Sequence, residues 1–171
     1  MTIKLSIAPE AYRALVTHLL PQHPASEEAA FLFAEWSGTG KDMSFRVADI
    51  YFAKPADFVS HEDDYLELTD EARIELIMRA HRTGHAIIET HSHLGPYRAR
   101  FSPSDCAGLR ETVPHMQWRL RNRPYGACVF TRREFDALIW VDDGRTPQSL
   151  AALVVGDQTF TPTNMSLRDW L

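Results

Sequence analysis

An apolar stretch that ends in two histidines constrains the fold of this chain more than any other part of the sequence. Gly84 precedes the run 86–88, Ala-Ile-Ile, and His91 and His93 follow it. A short apolar run after a glycine predicts a buried strand, and residues two apart on a strand point to the same side. Both imidazoles should therefore project together from the end of this strand.

The segment after the histidines brings a carboxylate behind a helix start. Ser102 is a good N-cap, Pro103 fits the first helical position, and Asp105 completes a pattern like a capping box. Taken alone, this segment is more typical of a cap than of a metal ligand, and a histidine pair alone is also weak evidence. Together they favour a metal site, because two histidines and one carboxylate leave the fourth position of a zinc ion open, as catalytic sites do.

Composition limits the class of protein. At 171 residues with 44% hydrophobic content, the chain is expected to form a single domain over 1–171. Two cysteines, Cys106 and Cys128, suit a reducing compartment, and neither a signal peptide nor a stretch of about 20 apolar residues is evident. We therefore expect a soluble, cytoplasmic protein without a membrane partner.

Charge argues against nucleic acid as a general partner, because the formal net charge is −5 and the pI is near 5.9. Between residues 98 and 123, however, six arginines face only two acids, which gives this segment a local charge of +4. These arginines are Arg98, Arg100, Arg110, Arg119, Arg121 and Arg123. A solvated face is the favoured interpretation, and a docking surface for an acidic partner is the alternative. Arg98 and Arg100 are the candidate substrate-binding residues, since they lie between the metal ligands in sequence.

Hydrophobic periodicity predicts strands and helices that interleave along the chain. Strands are predicted at 3–7, 26–36, 45–53, 65–68, 85–90, 125–131, 135–141 and 150–155, and helices at 9–20, 69–82 and 102–120. We expect a turn at 37–40 and a loop at 54–64, and Pro114 leaves open a break in the third helix. The tail from Thr159 carries no clear pattern. The order predicts an α/β (α+β) domain with a mixed sheet covered by helices.

The histidine and serine–aspartate segments together resemble the motif of the JAB/MPN (JAMM) zinc metalloprotease family, His-x-His followed by Ser-x-x-Asp. That family also carries an upstream glutamate on its first core strand, before small and apolar residues. Glu27 matches this position, with Ala30 and Ala34 at the two small positions, and Glu28 remains the alternative register. The resemblance covers about residues 8–141, which leaves 142–171 as a C-terminal extension, and it implies a curved mixed sheet flanked by helices.

Two features depart from the family pattern. Leu94 stands where the family often has proline, and the interval between His93 and Ser102 is one residue longer than usual. The longer interval suggests a bulged loop beside the metal.

The resemblance implies an activity and a role for each residue of the motif. One zinc ion per chain would be held by His91, His93 and Asp105, and its bound water would attack an amide. Glu27 would act as general base, and Ser102 would steady the oxyanion.

The resemblance also implies a substrate class. Like the bacterial stand-alone members, the protein would be an isopeptidase that removes a ubiquitin-like protein from its conjugates or processes its precursor. E1-like and E2-like conjugation enzymes would be its candidate partners. The alternatives are processing of a sulfur-carrier protein or a small amide, and a non-catalytic MPN interaction module.

Overall fold

The computed structural model describes residues 2–62 and 65–170, and strands and helices interleave through them as predicted. The strands are β1 (Thr2–Ile7), β2 (Ala29–Thr39), β3 (Asp42–Phe52), β4 (Phe58–Glu62), β5 (Tyr65–Leu68), β6 (Ala86–Ser92), β7 (Tyr125–Phe130), β8 (Phe135–Trp140), β9 (Ala152–Val155) and β10 (Gln158–Phe160). The helices are α1 (Pro9–Leu19), α2 (Asp70–Thr83), α3 (Pro103–Arg119) and α4 (Met165–Trp170), and a 3-10 turn at Pro55–Asp57 precedes β4. None of the described helices is long and apolar enough to cross a membrane.

A curled mixed sheet forms the centre of the molecule. Eight strands are hydrogen-bonded in the order β10-β9-β1-β3-β2-β6-β7-β8, and β4 pairs with β5 in a separate hairpin. Strand β1 runs parallel to β3 and β9, and β6 runs parallel to β7, whereas the other neighbours in the sheet are antiparallel. The prediction of a mixed sheet flanked by helices is therefore confirmed.

Strand β6 is buried on both faces, which explains its continuous apolar run. Ala86 and Ile88 pack in the core on the α1 side, whereas Ile87 packs in the second core on the side of α2 and α3. Both edges of β6 are also paired, with β2 on one side and β7 on the other. The backbone at the end of β6 is consequently held by hydrogen bonds to strands on both sides.

The helix boundaries follow the local signals. The side chain of Thr69 accepts a hydrogen bond from the Ala72 N–H at the start of α2, and Gly84 ends that helix in the left-handed region at φ 75°. Helix α3 passes through Pro114 without a break. Its continuity is explained by packing, because Val113 and Met116 on either side of the proline are buried in the core.

Three local predictions were wrong in their boundaries. The hairpin turn lies at residues 40–41 instead of 37–40, since Thr39 still pairs with Asp42 and Gly40 adopts a positive φ of 58°. The strand predicted at 26–36 begins at Ala29, so Glu27 precedes it.

The predicted loop at 54–64 contains the 3-10 turn and β4 instead. The Asp57 carboxylate accepts hydrogen bonds from the Lys54 N–H and the Tyr51 hydroxyl, and this network fixes the turn. Residues 63 and 64 lie outside the described residues.

The C-terminal tail, which had no prediction, is tied to the loop that precedes α3. The buried carboxylate of Asp136 accepts hydrogen bonds from the N–H groups of Asn164 (2.9 Å) and Ser166 (2.8 Å) at the start of α4. The Ser166 hydroxyl in turn accepts from the Phe101 N–H at 2.8 Å, and the Thr163 hydroxyl donates to the Ala99 carbonyl at 2.7 Å. The tail therefore fixes residues 99–101, directly before the Ser102 cap.

Candidate metal centre

Three side-chain atoms converge at the end of β6. The Nε2 atoms of His91 and His93 lie 3.1 Å apart, and the Oδ2 atom of Asp105 lies 3.1 Å from His93 Nε2 and 3.4 Å from His91 Nε2. Donor atoms at normal zinc distances in a tetrahedron are separated by about 3.3 Å. Two imidazole nitrogens that face each other also need a proton or a cation between them. The described residues thus form a triangle of suitable size for a metal ion.

The backbone of β6 and its neighbours positions the two histidines. His91 lies on the strand, and His93 follows its last residue, where the His93 N–H donates to the Phe130 carbonyl of β7 at 2.9 Å. Ser92 points to the opposite side and is fully buried. Its hydroxyl accepts a hydrogen bond from the Glu28 N–H at 3.0 Å, and its own N–H donates to the Glu28 carbonyl at 3.0 Å. Ser92 thereby ties the segment that carries Glu27 to the histidine motif.

Asp105 is both a helix cap and a candidate ligand. Its Oδ2 atom accepts from the Ser102 N–H at 2.7 Å, and its own N–H donates to the Ser102 hydroxyl oxygen at 3.1 Å. This capping box orients the carboxylate toward both histidines. Burial alone would raise the pKa of Asp105, but hydrogen bonds from His91 and His93 outweigh burial and hold the pKa well below its usual range. Burial lowers the pKa of His91, and the hydrogen bond to Asp105 more than reverses this, so the pKa is raised overall.

Glu27 is the glutamate that the fold brings to this triangle. Its Oε1 atom lies 4.0 Å from His93 Nε2, and the residue is buried with 8% of its surface exposed. Ser92 binds the backbone N–H and carbonyl of Glu28. The side chain of the preceding residue, Glu27, is the one that faces the candidate ligands. The geometry supports the Glu27 register over the Glu28 register.

The remaining predicted site residues lie around this centre. Ser102 is half-buried and accepts from the Asp105 N–H, and no described residue accepts its hydroxyl hydrogen. Arg98 forms two hydrogen bonds to the Glu134 carboxylate, at 3.0 and 3.1 Å, and these hydrogen bonds lower the pKa of Glu134. Arg100 lies 3.5 Å from the Asp169 carboxylate. Both arginines are thus surface residues with acidic partners in the chain, and their role toward a substrate stays a prediction.

A cavity of about 540 Å³ lies beside the metal centre, and its wall includes two residues that sequence reasoning missed. Glu27, His91 and Asp105 line the cavity together with Glu89 and Tyr125. The Tyr125 hydroxyl donates to Glu89 Oε2 at 2.5 Å, and burial raises the pKa of both groups. The available signal was the alternation of β6, which puts Glu89 on the same face as His91.

Comparison with known proteins shows a similarity of fold. No family model and no curated protein matches the chain. Among solved structures, the chain is similar to protein DSY2949 from Desulfitobacterium hafniense, with 12% identity and a TM-score of 0.50 over 90% of this chain and 94% of that one. The N-terminal domain of STIL from Trichoplax adhaerens aligns with a TM-score of 0.32 and 11% identity, over 76% of this chain and 37% of that one. Fold and side chains together define a mixed α/β protein with a candidate His-His-Asp metal centre.

Proposed function

We propose that this chain is a zinc-dependent peptidase of the JAMM/MPN type, which removes a ubiquitin-like protein from its conjugates or processes its precursor. The observation that carries the proposal is the triangle formed by His91, His93 and Asp105, with the Glu27 carboxylate 4.0 Å from His93. These four residues also occur in the order of the family motif. The mixed sheet flanked by helices is compatible with the MPN fold.

The described side chains suit amide hydrolysis. The two Nε2 atoms and Asp105 Oδ2 would hold the ion, and a zinc ion bound there supplies Lewis acidity and lowers the pKa of a water toward about 7. Glu27 accepts a proton from the attacking water and returns it to the leaving nitrogen. Ser102 donates its hydroxyl hydrogen to the oxyanion that develops on the carbonyl, and loss of one such donor typically costs about 10²–10³ in rate.

The ubiquitin-like substrate rests on the resemblance in sequence. The tail of such a protein is extended, so it would add as a strand along the cleft, with its Gly-Gly end at the metal centre. E1-like and E2-like enzymes remain the proposed partners. A small amide is the second candidate, favoured by a cavity whose size is typical of small-molecule sites.

Metal analysis and paired glutamine variants test the proposed activity. Protein stripped with a chelator and reloaded should bind about one zinc per chain, and His91→Ala should abolish this binding. Glu27→Gln should keep the zinc and reduce hydrolysis of a ubiquitin-like precursor by at least about 10², because an amide cannot accept the proton.

Glu28→Gln is the matched control and should stay close to the original activity. A chain that binds no zinc, or a Glu27→Gln variant with full activity, would overturn the proposal. Equal losses in the two variants would show that Glu27 is not the specific general base.

A further inference from the structure

We propose that the cavity beside the metal centre binds the leaving amine of the substrate, and that Glu89 recognises a second, positively charged group on this amine. The identity of the guest as a leaving group rests on the proposed amide hydrolysis. The preference of the cavity for a cation does not depend on the proposed amide hydrolysis, because binding can be measured without turnover.

The walls of the cavity suit an alkyl chain. Its volume is about 540 Å³, within the range of small-molecule sites. Phe58, Leu76, Leu109 and Met116 contribute to the lining, and each is buried in the core between the sheet and helices α2 and α3. A chain of methylene groups that enters here is stabilised because its apolar surface leaves water.

The charge of the cavity favours a cation. Its lining carries five carboxyl groups and one guanidinium: Glu27, Glu67, Glu89, Asp105, Glu111 and Arg73. Arg73 lies 3.6 Å from the exposed Asp70 on its own helix and also acts electrostatically on Glu89, so it offsets one of the five carboxylate charges. The imidazoles of His91 and His115 also face the cavity. Even with a divalent ion bound to the candidate ligands, the part of the cavity away from the metal centre stays acidic.

Glu89 offers an acceptor that is held in a fixed direction. Its Oε2 atom is bound by the hydroxyl of Tyr125, a residue that is 1% exposed and anchored in β7. Its Oε1 atom forms no hydrogen bond with the part of the chain that the structure describes. An acceptor oxygen in an apolar-walled cavity gains most from a donor that also carries positive charge.

The geometry of β6 sets the length of the guest. Glu89 and His91 are two residues apart on one face, so their Cα atoms are about 6.6 Å apart, a span that suits about four to six carbons between two amines. Glu27 also lines the cavity. Because Glu27 returns the proton to the leaving nitrogen, the leaving group lies on the cavity side of the scissile bond.

The chemistry balances without a further reactant. Water supplies its oxygen to the carbonyl carbon, the C–N bond breaks, and both protons of the water pass to the leaving nitrogen, which departs as an ammonium. The products are a carboxylate and a diamine-like amine whose distal ammonium contacts Glu89.

Calorimetry with two amides of nearly equal size tests this inference. The probes are N-(5-aminopentyl)acetamide, which ends in an ammonium, and N-hexylacetamide, which ends in a methyl group. Zinc-free protein should bind the ammonium probe at least about tenfold more tightly. Glu89→Gln should remove this preference, whereas Glu67→Gln, at an exposed carboxyl of the same cavity, should retain it.

The remaining outcomes separate this inference from the proposed function. Equal binding of both probes, or no binding of either, would overturn the cation site even in a protein that hydrolyses amides. A clear preference in a protein without zinc-dependent activity would support the site and remove the proposed function. If Glu89→Gln does not fold, Tyr125→Phe replaces it. That variant removes the hydrogen bond that orients the Glu89 carboxyl, so an unchanged preference there would count against Glu89.

Discussion

Asp105 combines a helix cap with the position of a candidate metal ligand. Its Oδ2 atom accepts from the Ser102 N–H at 2.7 Å and also lies 3.1 Å from His93 Nε2. The cap fixes the direction of the carboxylate at no extra cost in side-chain ordering, because the helix start already requires it. The same residue therefore links the stability of α3 to the geometry of the metal centre.

Substitution can separate these two roles. Asp105→Asn keeps an oxygen that accepts from the Ser102 N–H but loses the negative charge, so zinc affinity should fall by at least about 10² while the helix remains. Ser102→Ala should do the opposite, with a loss of about 1 kcal/mol in the free energy of unfolding and near-normal zinc content. Zinc titration measures the affinity of each variant for the metal, and thermal unfolding measures its stability. Undiminished zinc affinity in Asp105→Asn would show that the carboxylate is only a cap.

The candidate ligands could be predicted from sequence because their positions depend on local rules. The spacing of His91 and His93 follows strand alternation, and Asp105 follows from a capping pattern. Ser92 and Glu89 were missed, although both lie on the same strand. Their roles depend on partners far along the chain, Glu28 for Ser92 and Tyr125 for Glu89, and spacing alone does not reveal such partners.

At the scale of elements, the segments with strong local signals were predicted well and the others were not. Helix α2 has a cap at Thr69 and a glycine stop at Gly84, and both were predicted and found. The six-residue helix α4 has no such signal. It is fixed by the carboxylate of Asp136, which lies in a strand about thirty residues earlier and accepts from its first turn. A contact between residues this far apart in sequence cannot be predicted from a short window of neighbouring residues.

If the candidate ligands bind a metal ion, this tie makes the tail a support for the site. Asp136→Asn puts an amide group where the backbone N–H groups of Asn164 and Ser166 donate, so the free energy of unfolding should fall by about 1–3 kcal/mol. The loop at 99–101 should loosen with the tail, and zinc affinity should fall about tenfold. Asp143→Asn is the matched control, because Asp143 also accepts backbone N–H groups but is exposed and far from this loop in sequence. Equal zinc affinity in the two variants would contradict a supporting role for the tail.

At the scale of the whole molecule, the class of fold could be predicted and the order of strands could not. Strand β1 lies between β3 and β9, and the segment at 142–171, which the resemblance leaves as a C-terminal extension, contributes β9 and β10 to the main sheet. The prediction rested on the interleaving of strands and helices along the chain. This order indicates a mixed sheet, but it does not show which strands are neighbours. Neighbours are chosen by long-range packing on the two faces of the sheet.

The loop between the candidate ligands lies at the surface that a large substrate of the proposed activity would meet. Arg98 and Arg100 lie on this loop with side chains 66% and 48% exposed, each beside a carboxylate of the chain. The exposed pair of Arg100 and Asp169 contributes only about 0–1 kcal/mol, so an acidic partner could replace Asp169 at little cost, whereas the two hydrogen bonds between Arg98 and Glu134 make that pair harder to exchange. Both side chains are exposed, and their contact with a substrate stays a prediction.

A comparison of protein and peptide substrates tests this recognition. A linear peptide containing Gly-Gly-X should be cleaved at least about 10² more slowly than the same tail on a cognate ubiquitin-like domain, because the folded domain alone reaches the arginines. The double variant Arg98→Ala with Arg100→Ala should remove much of this difference in kcat/KM while zinc content stays constant. Arg13→Ala, an exposed arginine on α1, is the control and should leave the ratio unchanged. Equal cleavage of peptide and domain by the original protein would favour a general small-amide hydrolase instead.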